Sequence, residues 1–437
     1  MSGDRYRKVP SARLSRLASF GQLAGGLAGG VLAEGARRLA QGERPQLSDL
    51  LLTPANAIRV TDQLSRLRGA AMKLGQMISL DAGDVLPPEL TAILARLRDD
   101  AHYMPPRQLN QVLTAELGAD WRRRFARFDP TPTAAASIGQ VHKAVMPDGR
   151  VLAIKVQYPG VAASIDADVD NVASLLRLSG LLPASLDIAP LLAEAKRQLK
   201  EEADYRREAA QLNLYRARLE GDPAFVLPAT YPELSTGQVL AMDFVPGQSI
   251  ESLRDAPQAT RDRVMGALFA LVLRELFEFG HMQTDPNFAN YRWQADSERL
   301  VLLDFGAARP VPADTAAAYR RLLGAGLGED RGALRDALLT IGFVAPQTLD
   351  RHGAAVDAMI DVLLRHLGRP GLFDFADRSF VAEVRRHAET IAADRAAWHV
   401  PPAETLFVQR KISGTAMLAV RMESRLPLRD MVAAALG

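Results

Sequence analysis

A chain of 437 residues, 48% hydrophobic and 24% charged, has an ordinary globular composition and enough apolar side chain for two or three domains. Its 53 basic and 51 acidic residues leave a formal charge of +2, which argues against a protein that coats nucleic acid. The absence of cysteine excludes disulfide frameworks, thiolate metal sites and cysteine nucleophiles.

The N-terminal stretch 1–45 is basic at Arg5, Arg7, Lys8, Arg13 and Arg16 and then Gly-rich over 20–33. No apolar run reaches the roughly 20 residues needed to span a bilayer. Three readings of 20–33 stay open: a signal peptide, a buried helix packed through Gly25, Gly26, Gly29 and Gly30, and an amphipathic helix lying on an anionic membrane surface. From 47 to 98 apolar residues recur at helical spacing, interrupted at Pro87 and Pro88, and 107–117 reads as another helix. The texture changes near Phe125. Stretches 140–146 and 151–158 read as strands joined by the turn Pro147, Asp148, Gly149, Arg150. Long helices are expected over 161–182 and 191–219, and strands over 225–227 and 238–245. A strongly apolar helix over 261–279 carries Arg274 and Glu275 as its charged interruption, and two short strands, 291–293 and 300–303, follow. After Pro312 the pattern is amphipathic helix to the end.

Only seven basic residues are lysine (Lys8, Lys73, Lys143, Lys155, Lys196, Lys200 and Lys411), leaving 46 arginines. Each lysine is thereby a stronger candidate for a task that needs a compact, positionable ammonium. On the strand Leu152, Ala153, Ile154, Lys155, alternation puts Ala153 and Lys155 on one face, a small residue for a flat base and an ammonium for its α/β-phosphates. Glu208, on a helix, can pair with Lys155. Asp285 and Asn290, five apart in a loop beyond the apolar helix, have the spacing of a catalytic carboxylate and an amide metal ligand. Asp304, followed by Phe305 and Gly306 at the end of a buried strand, would share Mg²⁺ with Asn290, because hard cations prefer oxygen ligands. Singly, each has an ordinary structural explanation. Their order along the chain is that of a kinase. Strand 238–245 ends at Pro246 and Gly247 where a kinase hinge would lie, with Met242 behind the adenine and backbone groups of Asp243 and Val245 on its edge.

These residues resemble the UbiB/AarF family of atypical kinases, most closely the ADCK-like ATPases of coenzyme Q biosynthesis. Further motifs extend the likeness over most of the chain. Lys73, Leu74, Gly75 and Gln76 look like the KxGQ signature, Ala134, Ala135, Ala136 and Ser137 like the Ala-rich nucleotide loop, and Glu202 with Asp204 like the ExD motif. The resemblance implies an α+β, bilobal protein-kinase-like fold with an all-α N-terminal extension packed across the nucleotide cleft. It divides the chain into a leader (1–45), a helical KxGQ-type extension (46–124), an N-lobe with a helical insertion (125–246) and a mostly helical C-lobe (247–437). It implies an ion pair from Lys73 to Glu202 or Asp204, ATP or ADP with Mg²⁺ as ligands, and anionic membrane lipid and quinone-biosynthesis proteins as partners. The implied location is cytoplasmic, peripheral on the inner membrane.

Three features modify the expectation. An Ala Cβ resists the positive-φ conformations with which glycines close on phosphate, so phosphate contact should differ. Gln283 stands where many relatives have His, and Gln211 where Asn is frequent. No Ala-Pro-Glu motif follows Asp304, which favours transfer to water or a small molecule in support of ubiquinone biosynthesis. A protein Ser/Thr kinase and a nucleotide-binding pseudokinase scaffold are the alternatives. The tail from Met417 to Gly437 carries Arg421, Glu423, Arg425, Arg429 and Asp430 and has no hydrophobic anchor.

Overall fold

The computed structural model describes residues 103–136, 138–178, 189–397, 399 and 401–437. The leader, most of the KxGQ-type extension with Lys73 and Gln76, and Ser137 lie outside the described residues. Two compact units form, one reaching Asn213 and including Pro228–Phe244, the other made of Leu214–Leu227 and Val245–Gly437.

The first unit is built on an antiparallel sheet. Its strands are β1 (Arg127–Phe128), β2 (Ala134–Ala135), β3 (Gly139–Val145), β4 (Val151–Gln157) and, after an excursion, β6 (Val239–Asp243); the order is β1-β3-β4-β6, with β2 beside β3. Gly149 takes φ 88° in the turn between β3 and β4, a conformation open to glycine at little cost. Leu152, Ile154 and Val156 alternate onto one face and join Trp121, Phe125, Val239, Ala241 and helix α1 (Pro106–Leu117) in a core that also takes in Ile165 and Leu199. Two helices, α2 (Val161–Leu178) and α3 (Ala189–Glu202), precede α4 (Tyr205–Arg218), within which the division between the units falls.

The stretch 191–219 therefore is not one helix. It breaks between Glu202 and Tyr205 because the Asp204 side chain accepts the N–H groups of Arg206 (3.0 Å) and Arg207 (3.3 Å), an N-cap that starts a new helix.

In the second unit β5 (Phe225–Val226) lies parallel to β10 (Arg299–Leu302), which pairs in turn with β9 (Tyr291–Gln294) and that with β7 (Gln248–Ser249). Helix α5 (Gln258–Arg274) passes into a π-helical turn, Glu275–Phe279, ended by Gly280 at φ 56°. Then comes β8 (His281–Gln283), paired with β11 (Ala308–Pro310), a two-stranded ribbon whose short strands carry too little periodicity to be read from sequence. Helices α6 (Ala313–Leu327), α7 (Arg331–Ile341), α8 (Pro346–Leu367), α9 (Ser379–Ala393), α10 (Ala403–Arg421) and α11 (Leu428–Leu436) complete it. Two short strands, β12 (Phe373–Asp374) and β13 (Arg425–Leu426), interrupt the stretch after Pro312 whose amphipathic pattern predicts helix throughout. The core here gathers Val272, Leu276, Met282, Tyr319, Ile341, Phe407 and Val408. Among the described residues no helix is long and apolar enough to cross a membrane.

Candidate active site

In the first unit the pleat of β4 turns Ala153, Lys155 and Gln157 away from the Leu152, Ile154, Val156 face. Lys155 Nζ lies 2.8 and 2.9 Å from the two carboxylate oxygens of Glu208, with side chains only 8% and 2% exposed, and 5.1 Å from the Tyr205 ring centroid. Glu208 is in the first turn of α4, where the unpaired N–H groups of a helix start also favour a carboxylate. Asp204 fixes where that turn begins, and Gln157 Nε2 donates to the Ala203 carbonyl at 2.8 Å, tying β4 to the same corner. One strand and one capped helix thus set the ion pair. Glu202, buried close by on α3, accepts weakly from Gln198 Nε2 at 3.4 Å. Its implied partner Lys73 lies outside the described residues.

The Ala-rich segment is extended, not the start of a helix. Ala134 pairs with Val141 and Ala135 with Gln140, and the Ala136 N–H donates to the Gly139 carbonyl at 2.8 Å. None of the three alanines takes positive φ, as Cβ sterics require. Gly139 is held to glycine by crowding: a Cβ there would meet the Val156 carbonyl at 2.5 Å and Tyr205 Oη at 2.6 Å. Met242, buried, pairs across the sheet with Ala153. The Asp243 N–H donates to the Ala229 carbonyl at 2.9 Å, which narrows the hinge expectation to the Asp243 carbonyl. Its carboxylate accepts from the Ala229 N–H (2.9 Å) and from Tyr231 Oη (2.6 Å), and the latter bond raises the Tyr231 hydroxyl above its usual range. Val245 belongs to the second unit.

There, Asp285, Asn290 and Asp304 are drawn together by backbone bonds. Asn290 Nδ2 donates to the Asp285 carbonyl (2.9 Å), the Leu303 N–H to the Asn290 carbonyl (3.0 Å), and the Gly306 N–H to Asp304 Oδ1 (3.0 Å). With its nitrogen so used, Asn290 has an amide oxygen, and Asp304 a carboxylate, of the kind that could serve a cation. These are hard oxygen donors. Among the described residues no group of three or more His, Cys, Asp or Glu side chains could hold a metal by itself. A Mg²⁺ ion, which is commonly bound by one or two protein oxygens plus substrate phosphates, fits such a donor set. Phe305 packs on Tyr215 with ring centroids 4.6 Å apart, which buries the middle of the Asp-Phe-Gly motif.

Two contributions escaped the sequence reading. The Gln283 side chain bridges both acids: its Oε1 accepts the Asp285 N–H at 2.9 Å and its Nε2 donates to the Asp304 carbonyl at 3.1 Å. Underneath, Glu275 is wholly buried opposite Lys411, with Nζ 3.5 Å from Oε2. Glu275 was legible as a charged interruption of an apolar helix, and Lys411 as one of few lysines; nothing in the sequence paired them. Burial pushes the Glu275 carboxyl up, with Lys411 opposing that shift.

The ABC1 atypical kinase-like domain model matches residues 96–338. The chain is 39% identical over 420 residues to the mitochondrial atypical kinase COQ8 of Saccharomyces cerevisiae, covering 95% of this chain and 83% of that protein. It is 39% identical over 438 residues to mitochondrial COQ8B of Rattus norvegicus, covering 98% and 81%. Among solved structures, the Rv3197–erythromycin complex from Mycobacterium tuberculosis superposes with a TM-score of 0.58 at 25% identity, covering 86% of this chain and 94% of that one.

Proposed function

The chain belongs to the ABC1 atypical kinase family, that of the COQ8 kinases of ubiquinone biosynthesis, and on that premise we propose that it is a Mg²⁺-dependent ATPase or small-molecule kinase. The observation that carries this reading is the buried Lys155–Glu208 pair, whose ammonium is held on the strand face it shares with Ala153 and Gln157. An ammonium presented in this way can bind α/β-phosphates without a competing solvent shell. Ala153 and Met242 would contact the adenine, with the Asp243 carbonyl and the Val245 N–H on its edge. Ala134, Ala135, Ala136 and Ser137 would form the flap over the phosphates.

Asn290 and Asp304 are the residues that would hold Mg²⁺, which when bound neutralises phosphate charge. Asp285 orients the nucleophile, a water or a small hydroxyl compound, and accepts its proton as the new O–P bond forms. The bond from the γ-phosphorus to the β,γ-bridging oxygen breaks, and the electron pair leaves with ADP. Helix α6 begins at Ala313, only two residues beyond β11, so little chain follows Asp304 from which to build a platform for a protein substrate. Gln283 takes the position at which His is frequent, and its amide cannot titrate near neutrality. The reaction's pH profile should therefore lack a limb from that residue.

The regulatory reading is that Lys73 and Gln76 reach the site from the N-terminal extension and that Glu202 or Asp204 receives Lys73. Work on the membrane face, in contact with anionic lipid and quinone-biosynthesis proteins, would follow from the family. The test is phosphate release with Mg²⁺ and ATP, with and without anionic liposomes. Asp304→Asn should abolish turnover, and turnover retained in that variant would remove the assignment. Labelling of protein in place of phosphate release would point to the protein-kinase alternative, and nucleotide binding with neither to a scaffold.

A further inference from the structure

The loop carrying Asp285 is entered from β8, and β8 is held by a buried ionic network outside the nucleotide residues named above. Helix α5 gives up its regular ladder for the π turn at Glu275–Phe279, and π turns occur frequently where function requires a side chain to be re-aimed. Glu275 is the first residue of that turn. Its Oε1 accepts the Gln283 backbone N–H at 3.0 Å and lies 2.8 Å from Tyr215 Oη, while its Oε2 faces Lys411. Lys411, on α10, also lies 3.4 Å from Tyr291 Oη. Ion pairs this deep are weak stabilisers, because loss of hydration offsets the attraction. What the pair does hold, besides the Tyr215 hydroxyl, is the Gln283 nitrogen, and Gln283 is the residue whose side chain spans Asp285 and Asp304.

We propose that Glu275, fixed by Lys411, is a positioning residue for phosphoryl transfer, its bond to the Gln283 N–H setting the register from which the Gln283 amide aligns Asp285 and Asp304. This rests on the assignment of those two acids made in the preceding section.

Reach and charge can be separated. Glu275→Asp keeps the charge opposite Lys411 but withdraws the carboxylate by one methylene. Glu275→Gln combined with Lys411→Met removes both charges and keeps an oxygen for the Gln283 N–H. Misplacement near 1 Å can cost about a hundredfold in rate. Glu275→Asp should therefore lower kcat for ATP turnover roughly tenfold or more with KM for ATP within about twofold, and should speed hydrogen exchange at the Gln283 amide. The double variant should keep kcat within about threefold and keep the amide protected.

The proposal is overturned if Glu275→Asp turns over at the wild-type rate, or if the double variant loses turnover and amide protection to the extent that Glu275→Asp does. Should Glu275→Asp fail to fold, the double variant alone decides. Amide exchange needs no turnover. A wild-type protein that is inactive, but whose Gln283 amide is slow and opens in Glu275→Asp, would remove the activity assignment and leave the Glu275 contact standing.

Discussion

Gly414 lies on α10 one turn beyond Lys411, where the helix passes against Pro286, the neighbour of Asp285. A Cβ built there would lie 2.8 Å from Pro286 Cβ and closer still to Cγ, against an ordinary contact of at least 3.4 Å. Gly414→Ala gains about 1 kcal/mol of helix propensity. Overpacking of this kind loses about 1–3 kcal/mol. The net loss of stability is thus about 0–2 kcal/mol, small enough for the variant to fold. The loop carrying Asp285, however, must give by more than half an ångström, and on the proposed role of Asp285 about tenfold in rate, or ~1.4 kcal/mol of barrier, follows from that displacement. Steady-state phosphate release against ATP concentration at saturating Mg²⁺, alongside urea unfolding, separates the two effects. We expect kcat lowered about tenfold and KM nearly unchanged. A folded variant with kcat within twofold of wild type would refute the claim that α10 sets the position of the loop.

Glu208→Gln leaves the buried Lys155 ammonium without its counter-charge and should cost about 3–5 kcal/mol in urea unfolding, with ATP affinity reduced at least about tenfold; unchanged affinity would count against the pair as the phosphate anchor. Burial lowers His142 to about 4, from 6.5 when exposed. Its contribution to stability is therefore complete above 6.5 and is lost as pH falls through that range towards 4, amounting to about 2 kcal/mol by pH 5. Urea midpoints at pH 7 and 5 measure this, and His142→Gln should flatten the difference. Ala136→Gly frees the loop from the Cβ restriction and should change the ratio of ATP to ADP affinity by calorimetry; identical ratios would exclude a role for the alanine.

The candidate residues of the site were more legible than the contacts that support them. Lys155, Glu208, Asp285, Asn290 and Asp304 could be picked out because their order repeats a known arrangement, and Lys155 also because lysine is scarce in this chain. Strands β3 and β4 announced themselves by the Pro147 to Arg150 turn between them, and β6 as a short apolar run ahead of Pro246 and Gly247. The break at Asp204 was hidden, since the helical periodicity on its two sides runs on and only the capping bonds reveal it. Ribbon β8–β11 and strands β12 and β13 are two or three residues long, too short for any period to register. Gln283 was noted for what it replaced; its bridging role depends on β11 bringing Asp304 back beside β8, a contact between distant residues that local pattern does not encode. The same holds for Glu275 and Lys411.

Both units are discontinuous in the chain. The segment Leu214–Leu227 leaves the first and supplies β5 to the second before Pro228–Phe244 returns to complete the first. A fragment cut at Phe244 would carry Phe225 and Val226 without Leu300 and Val301, the residues beside which they lie. As the protein emerges from the ribosome, β5 must likewise wait until β10 has been synthesised, a non-local pairing of the kind that slows folding. Expressing either lobe alone should therefore yield poorly soluble material, whereas cuts in exposed turns that keep both halves of the interleaved segment present should be tolerated.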